Sequence, residues 1–123
     1  MAGDKSTKIP FFRSELTLET MQKRCKGSLA ELIGLEMVKI SPGKLASRIV
    51  LRPNLLAPNG FLHAATIIAL ADTTCGWGTL VHLPEGAENF TTVELKTNFL
   101  GTLREGMSGS SPVSMCWRIF PSA

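Results

Sequence analysis

Cysteine is scarce and unpatterned in this 123-residue chain: Cys25, Cys75 and Cys116 are odd in number and form no CxxC pair. That argues against a disulfide framework and against a zinc site, and it points to a reducing, cytoplasmic compartment. Concentrated charge is missing too. The net charge of +3 comes from scattered residues, the tightest group being Lys23, Arg24 and Lys26, with no arginine-rich or aromatic-interleaved run of the kind that tracks nucleic acid. Met1 to Arg13 has no apolar stretch followed by small residues, so it does not read as a secretory signal. There is no internal repeat and no low-complexity linker, and the length supports one core, so a single domain over residues 1–123 is expected.

Within that ordinary composition, one segment stands out. Phe61 to Leu83 is a run of 23 residues whose only fixed charge is Asp72. Length alone makes it a candidate membrane span. Two histidines, four threonines, Gly76 and Gly78 dilute its apolarity, and no flanking Lys/Arg bias orients it, so no membrane association is expected. The pattern predicts a helix over about 63–83 that is apolar nearly all round and hence buried on every side. An ionised carboxylate there costs several kcal/mol, on the order of a buried unpaired polar group or more, unless it is compensated. Asp72 is therefore either a helix carboxylate satisfied by Thr73 or Thr74, or a group that chemistry uses.

Around this helix the periodicities are simpler. Leu18, Met21, Cys25, Leu29 and Leu32 recur every three or four residues, predicting helix from Thr17 to Ile33 with an interruption at Gly27 and a stop at Gly34. Leu35 to Ile40 and Lys44 to Leu51 read as a hairpin turning at Ser41-Pro42-Gly43. Arg52 to Gly60, with two prolines, reads as a loop, and Pro84 to Asn89 as a turn. Phe90 to Leu100 alternates Thr91, Val93, Leu95, Thr97 and Phe99 against Thr92, Glu94, Lys96 and Asn98, the clearest strand pattern in the chain. Val113 to Phe120 offers one final short strand. The expected class is α+β, an antiparallel sheet curled around a central buried helix.

The order Asn59-Gly60-x-x-His63, then Leu70-Ala71-Asp72, then Phe90-Thr91-Thr92-Val93-Glu94-Leu95-Lys96 resembles the hotdog-fold acyl-CoA thioesterases, nearest the PaaI-like or 4-hydroxybenzoyl-CoA thioesterase-like group. The likeness runs from about residue 18 to 106. It implies hydrolysis of acyl-CoA in a homodimer or homotetramer, with CoA as part of the substrate and no metal or cofactor. By this resemblance Asp72 is the nucleophile or general base, the Ala64 N–H polarises the thioester carbonyl, and Thr92 positions water. Asn59, Gly60, His63 and Ala65 are the matching substrate-side positions. The family's two glycines after the histidine are Ala64 and Ala65 here, its usual amide six residues before the histidine is Ala57, and residues 107–123 match no family pattern, so the final strands of the sheet are expected to be lacking. An altered chain of this kind would have as its alternative role the binding of acyl-CoA or a partner subunit without catalysis.

Three residue types carry a plainer reading beside the functional one. His63 is nine residues, or two and a half turns, from Asp72, so the two fall on opposite helix faces and His63 is expected mainly to cap the helix. Cys75 reads as a buried inert thiol. Gly76 and Gly78 weaken a helix and so mark close packing or a bound group. Geometry adds one constraint: at 1.5 Å rise per residue, Ala64 and Asp72 lie roughly 12 Å apart along the axis, too far to act on one carbonyl within one chain. A site that uses both needs two subunits.

Overall fold

A computed structural model describes residues 11–104 and 112–118, so the N-terminal segment tested above for a signal lies mostly outside the described residues. The first helical stretch forms two short helices, α1 (Leu18–Arg24) and α2 (Leu29–Leu32). Thr17 caps α1 by accepting the Thr20 N–H. The break falls at Gly27, whose φ of 75° is a left-handed conformation that other residues adopt at a cost. Gln22 then docks α1 on the sheet entrance, donating from Nε2 to the Leu35 carbonyl and accepting the Met37 N–H on Oε1 at 2.8 Å.

The hairpin forms as its alternation predicts, with β1 (Glu36–Ser41) paired antiparallel to β2 (Lys44–Val50). Ser41 opposite Lys44 leaves Pro42 and Gly43 as the two turn residues. Gly43 has φ 76°, which a turn with proline first and a left-handed residue second requires. Val38 is the extra residue where the register shifts between Met37 and Lys39, and it is exposed. Beyond β2, the expected loop contains a single 3-10 turn at Pro53–Leu55.

The long helix, α3 (Ala64–Val81), has His63 as its N-cap. It packs on β2 and β3, and its buried residues are Thr66, Leu70, Thr74, Gly78 and Val81. Leu45, Ile49 and Met21 meet it in the core, all fully buried. One polar pair crosses this interface: Ser47 of β2 and Thr74 of α3, both fully buried, share a hydrogen bond of 2.5 Å, and the Thr74 hydroxyl also meets the Leu70 carbonyl. Burial without those partners would cost about 1–3 kcal/mol per group.

Two expectations are corrected here. The helix is not buried on every side, because Ala64, Ala65, Ile68, Cys75 and Thr79 are exposed. The thiol of Cys75 is accordingly at the surface rather than in the core. The second correction is that Phe90 to Leu100 forms no strand, and Val93 and Leu100 stand almost fully exposed. Alternation specifies which face of a strand is apolar, but a strand exists only where another backbone satisfies its N–H and C=O groups.

The C-terminal tail does supply a strand. β3 (Pro112–Arg118) pairs antiparallel with β2 along seven positions, from Lys44 opposite Arg118 to Val50 opposite Pro112. Among the described residues the sheet order is β1-β2-β3. Trp117 reaches from β3 to α3, where a Cβ on Gly78 would lie 2.5 Å from its ring. The glycine is what lets the tail close over the helix.

Candidate active site

Sequence places Asp72 in the middle of α3 and Thr92 twenty residues later, and the fold brings them together. The Thr92 hydroxyl donates to Asp72 Oδ1 at 2.9 Å. They share a cleft of about 180 Å³ with Thr73, Gly76, Trp77, Leu80 and Phe90. Neither Thr73 nor Thr74 supplies this partner, since Thr74 is engaged with Ser47. Asp72 is half-buried, so one carboxylate oxygen is held by a hydroxyl while the group stays reachable from solvent. The surrounding protein atoms and then the Asp72 charge push the neighbouring Cys75 thiol up from its ordinary value, which disfavours the thiolate and its nucleophilicity.

Phe90 and Gly76 explain how the cleft is walled. A Cβ on Gly76 would sit 3.0 Å from the Phe90 ring, so the glycine seats the aromatic ring against the helix one turn beyond Asp72. Close packing is thus the reason for Gly76 as for Gly78. Trp77, Leu80 and Phe90 were not singled out by sequence as site residues. Their apolar character is shared with the core, and only the path of residues 84–92 back along α3 turns them toward the carboxylate.

The remaining candidates gather at the other end of α3. His63 is exposed and accepts the Ala65 N–H on Nδ1 at 2.9 Å, so the histidine caps the helix and the Ala65 amide is engaged. Ala64 N–H meets no acceptor among the described residues. Helix N-terminal amides of this kind carry the positive end of the helix dipole. Asn59 Oδ1 accepts the Phe61 N–H, shaping the entry turn, and Gly60 occupies φ 86° with the Arg104 guanidinium nearby. Arg104 lies 4.7 Å over the Phe61 ring. Ala64 lines a second, larger cleft of about 570 Å³ that contains neither Asp72 nor Thr92. One chain therefore keeps the carboxylate and the helix N-terminus apart, as the rise along α3 requires.

Among solved structures, a mutant thioesterase from Pseudomonas aeruginosa superposes with a TM-score of 0.79 at 20% identity, covering 92% of this chain and 78% of that one. A thioesterase from Haemophilus influenzae gives 0.75 at 22% identity over 86% of this chain and 70% of that one. A conserved protein from Pseudomonas aeruginosa gives 0.68 at 20% identity, covering 83% and 77%. The chain matches no family model and no curated protein. What the likeness establishes is the fold: α+β, of the hotdog type found in those thioesterases.

Proposed function

We propose that the chain is a thioesterase that hydrolyses acyl-CoA to free acid and CoA. The observation that carries this reading is the Asp72 carboxylate, hydrogen-bonded to Thr92 at 2.9 Å in a cleft on the central helix. A carboxylate so held is poised either to take a proton from water as it adds to the thioester carbon or to attack that carbon itself. In both routes the carbon–sulfur bond breaks, CoA leaves as the thiol with a proton returned to sulfur, and water supplies the oxygen and proton of the free acid. The developing oxyanion needs preorganised N–H donors, and the Ala64 amide at the start of α3, which meets no acceptor among the described residues, is suited to it. Because Ala64 and Asp72 line different clefts, the working site pairs Asp72 and Thr92 of one subunit with Ala64 of another, in a homodimer or larger homo-oligomer. Asn59, Gly60, His63 and Ala65 shape the entrance on the substrate side. The chemistry calls for no metal or cofactor. Unpaired cysteines fit a reducing compartment, and the cytoplasm is the proposed location.

The test is thiol release from an acyl-CoA panel. Asp72→Ala should lower turnover by at least about 10²-fold, the usual worth of a positioned acid–base group, and leave the thermal unfolding midpoint within a few degrees. Thr92→Val should cost about tenfold, consistent with losing one hydrogen bond to a charged group. Turnover that survives Asp72→Ala would sink the assignment. Wild-type protein that folds and binds CoA thioesters without cleaving them would instead mark a non-catalytic hotdog domain.

A further inference from the structure

Thr92 is not held on Asp72 by a sheet. Among the described residues no backbone hydrogen bond joins Phe90 to Leu100 to another segment, and Val93, the residue after Thr92, is 94% exposed. The chain that carries Thr92 is tied down by the Arg13 guanidinium on the Ala87 carbonyl at 2.7 Å, by the Phe90 ring over Gly76, and by the Thr92 hydroxyl on Asp72 itself. A lone hydrogen bond to an exposed threonine does not order a loop, because water satisfies both partners nearly as well and the chain loses entropy. The Arg13 contact lies five residues from Thr92. Phe90 lies two.

The ring over Gly76 has the geometry of a register pin. Gly76 stands four residues beyond Asp72 on the same face of α3, a rise of roughly 6 Å. Two residues of chain, from Phe90 to Thr92, span at most roughly 7 Å. The two spacings match, so a ring seated at Gly76 delivers the hydroxyl to Asp72, and a ring seated a turn away does not. The neighbouring positions on that face offer no such seat, because Thr73 and Leu80 carry side chains into the cleft. At Gly76 the ring atoms lie 3.0 and 3.2 Å from where a Cβ would stand, closer than an ordinary carbon contact.

We infer that Gly76 and Phe90 are positioning residues for the Asp72 and Thr92 pair: the glycine seats the ring, and the ring fixes where Thr92 meets the carboxylate. The inference rests on the thioesterase reading above and goes beyond it, since it gives the alignment of two polar groups to two residues that have none. It also accounts for a glycine where alanine would make the stronger helix.

The experiment measures kcat and KM for an acyl-CoA that the wild type cleaves, with thermal unfolding alongside. Phe90→Ala should lower kcat about tenfold, the loss expected of Thr92→Val for one hydrogen bond to a charged group. The Phe90→Ala/Thr92→Val double variant should be no slower than Thr92→Val alone, because residues acting through one bond are not additive. Gly76→Ala should lower kcat about threefold, as for a bond stretched and not broken, while its unfolding midpoint holds or rises. Adding Phe90→Leu, whose shorter side chain leaves room for the new methyl, should return roughly half or more of the wild-type kcat. Wild-type kcat in both single variants, a change confined to KM, or multiplied losses in the double variant would overturn the positioning role and leave hydrolysis standing. If the wild type cleaves no thioester, the hydrolytic reading falls separately, and the carbon-13 resonance of the Asp72 carboxyl group decides the positioning. A resonance that moves in Phe90→Ala as it does in Thr92→Val supports the role, and one that stays in place in Phe90→Ala overturns it.

Discussion

The two ends of α3 differ in how completely one chain covers them. At the C-terminal end, three segments distant in sequence converge on the helix. Trp117 packs on Gly78, and the His82 ring stands between Phe12 at 5.4 Å and Trp117 at 5.3 Å. His82 Nε2 accepts the Gly43 N–H at 2.8 Å, which fixes the ring proton on Nδ1, where it meets the Gly78 carbonyl. Arg13 adds a clamp: its backbone N–H meets the Val81 carbonyl, and its guanidinium reaches the carbonyls of Leu83, Pro84 and Ala87. The N-terminal end is open. Ala64, Ala65 and Ile68 face solvent, and the chain from Thr97 to Leu103 borders a cleft there instead of a ladder. The contrast teaches that glycine placement, not apolarity, decides where an aromatic ring can cover this helix: Gly76 and Gly78 admit such rings, whereas in the N-terminal half Thr66 and Leu70 are buried but Ala64, Ala65 and Ile68 stay exposed among the described residues.

Filling the sealed end is the strongest way to break this comparison. Gly78→Val should cost about 2–3 kcal/mol, because its branched side chain must displace the Trp117 ring and with it β3 from β2. Trp117→Leu in the same chain should recover part of that loss in chemical denaturation, and additive losses would show that the two do not touch. His82→Ala should cost about 2 kcal/mol by leaving the Gly43 N–H and Gly78 carbonyl without their partner. Hydrogen exchange at Gly43 should speed up, and an unchanged rate would remove His82 from that turn. Arg13→Ala is expected to cost about 1 kcal/mol, since its acceptors remain partly accessible to water. At the open end, Ile68→Ser should move the stability of a dilute chain by less than about 0.5 kcal/mol, as for an exposed position. Sedimentation at rising concentration sharpens the point: an assembly weakened by Ile68→Ser would mean that a second copy covers this face, and identical sedimentation of both proteins would mean that it stays in water.

Much of the fold follows from local chemistry. The two short helices and their break at Gly27, the hairpin with Pro42 and Gly43 at its turn, and α3 with His63 at its start are each specified by residues close together in sequence. Asp72 was also legible, because a carboxylate in an apolar helix is conspicuous wherever the helix packs. Its environment was not: the wall formed by Phe90, Trp77 and Leu80 depends on the path of residues 84–92, and no periodicity encodes a path.

The sequence by itself determined which segments bend, coil or pair locally, since backbone preference and apolar spacing act over a few residues. It also determined that one carboxylate would sit mid-helix and that eight residues of rise would separate it from the helix start. Only the tertiary structure decided that Phe90 to Leu100 would remain without a ladder, that the tail strand read at Val113 to Phe120 would pair with β2, and that aromatic rings would cover α3 at Gly76 and Gly78. Those outcomes depend on which backbone lies alongside another and on whether a ring fits over a particular Cα, relations between distant segments that exist only once the chain has folded.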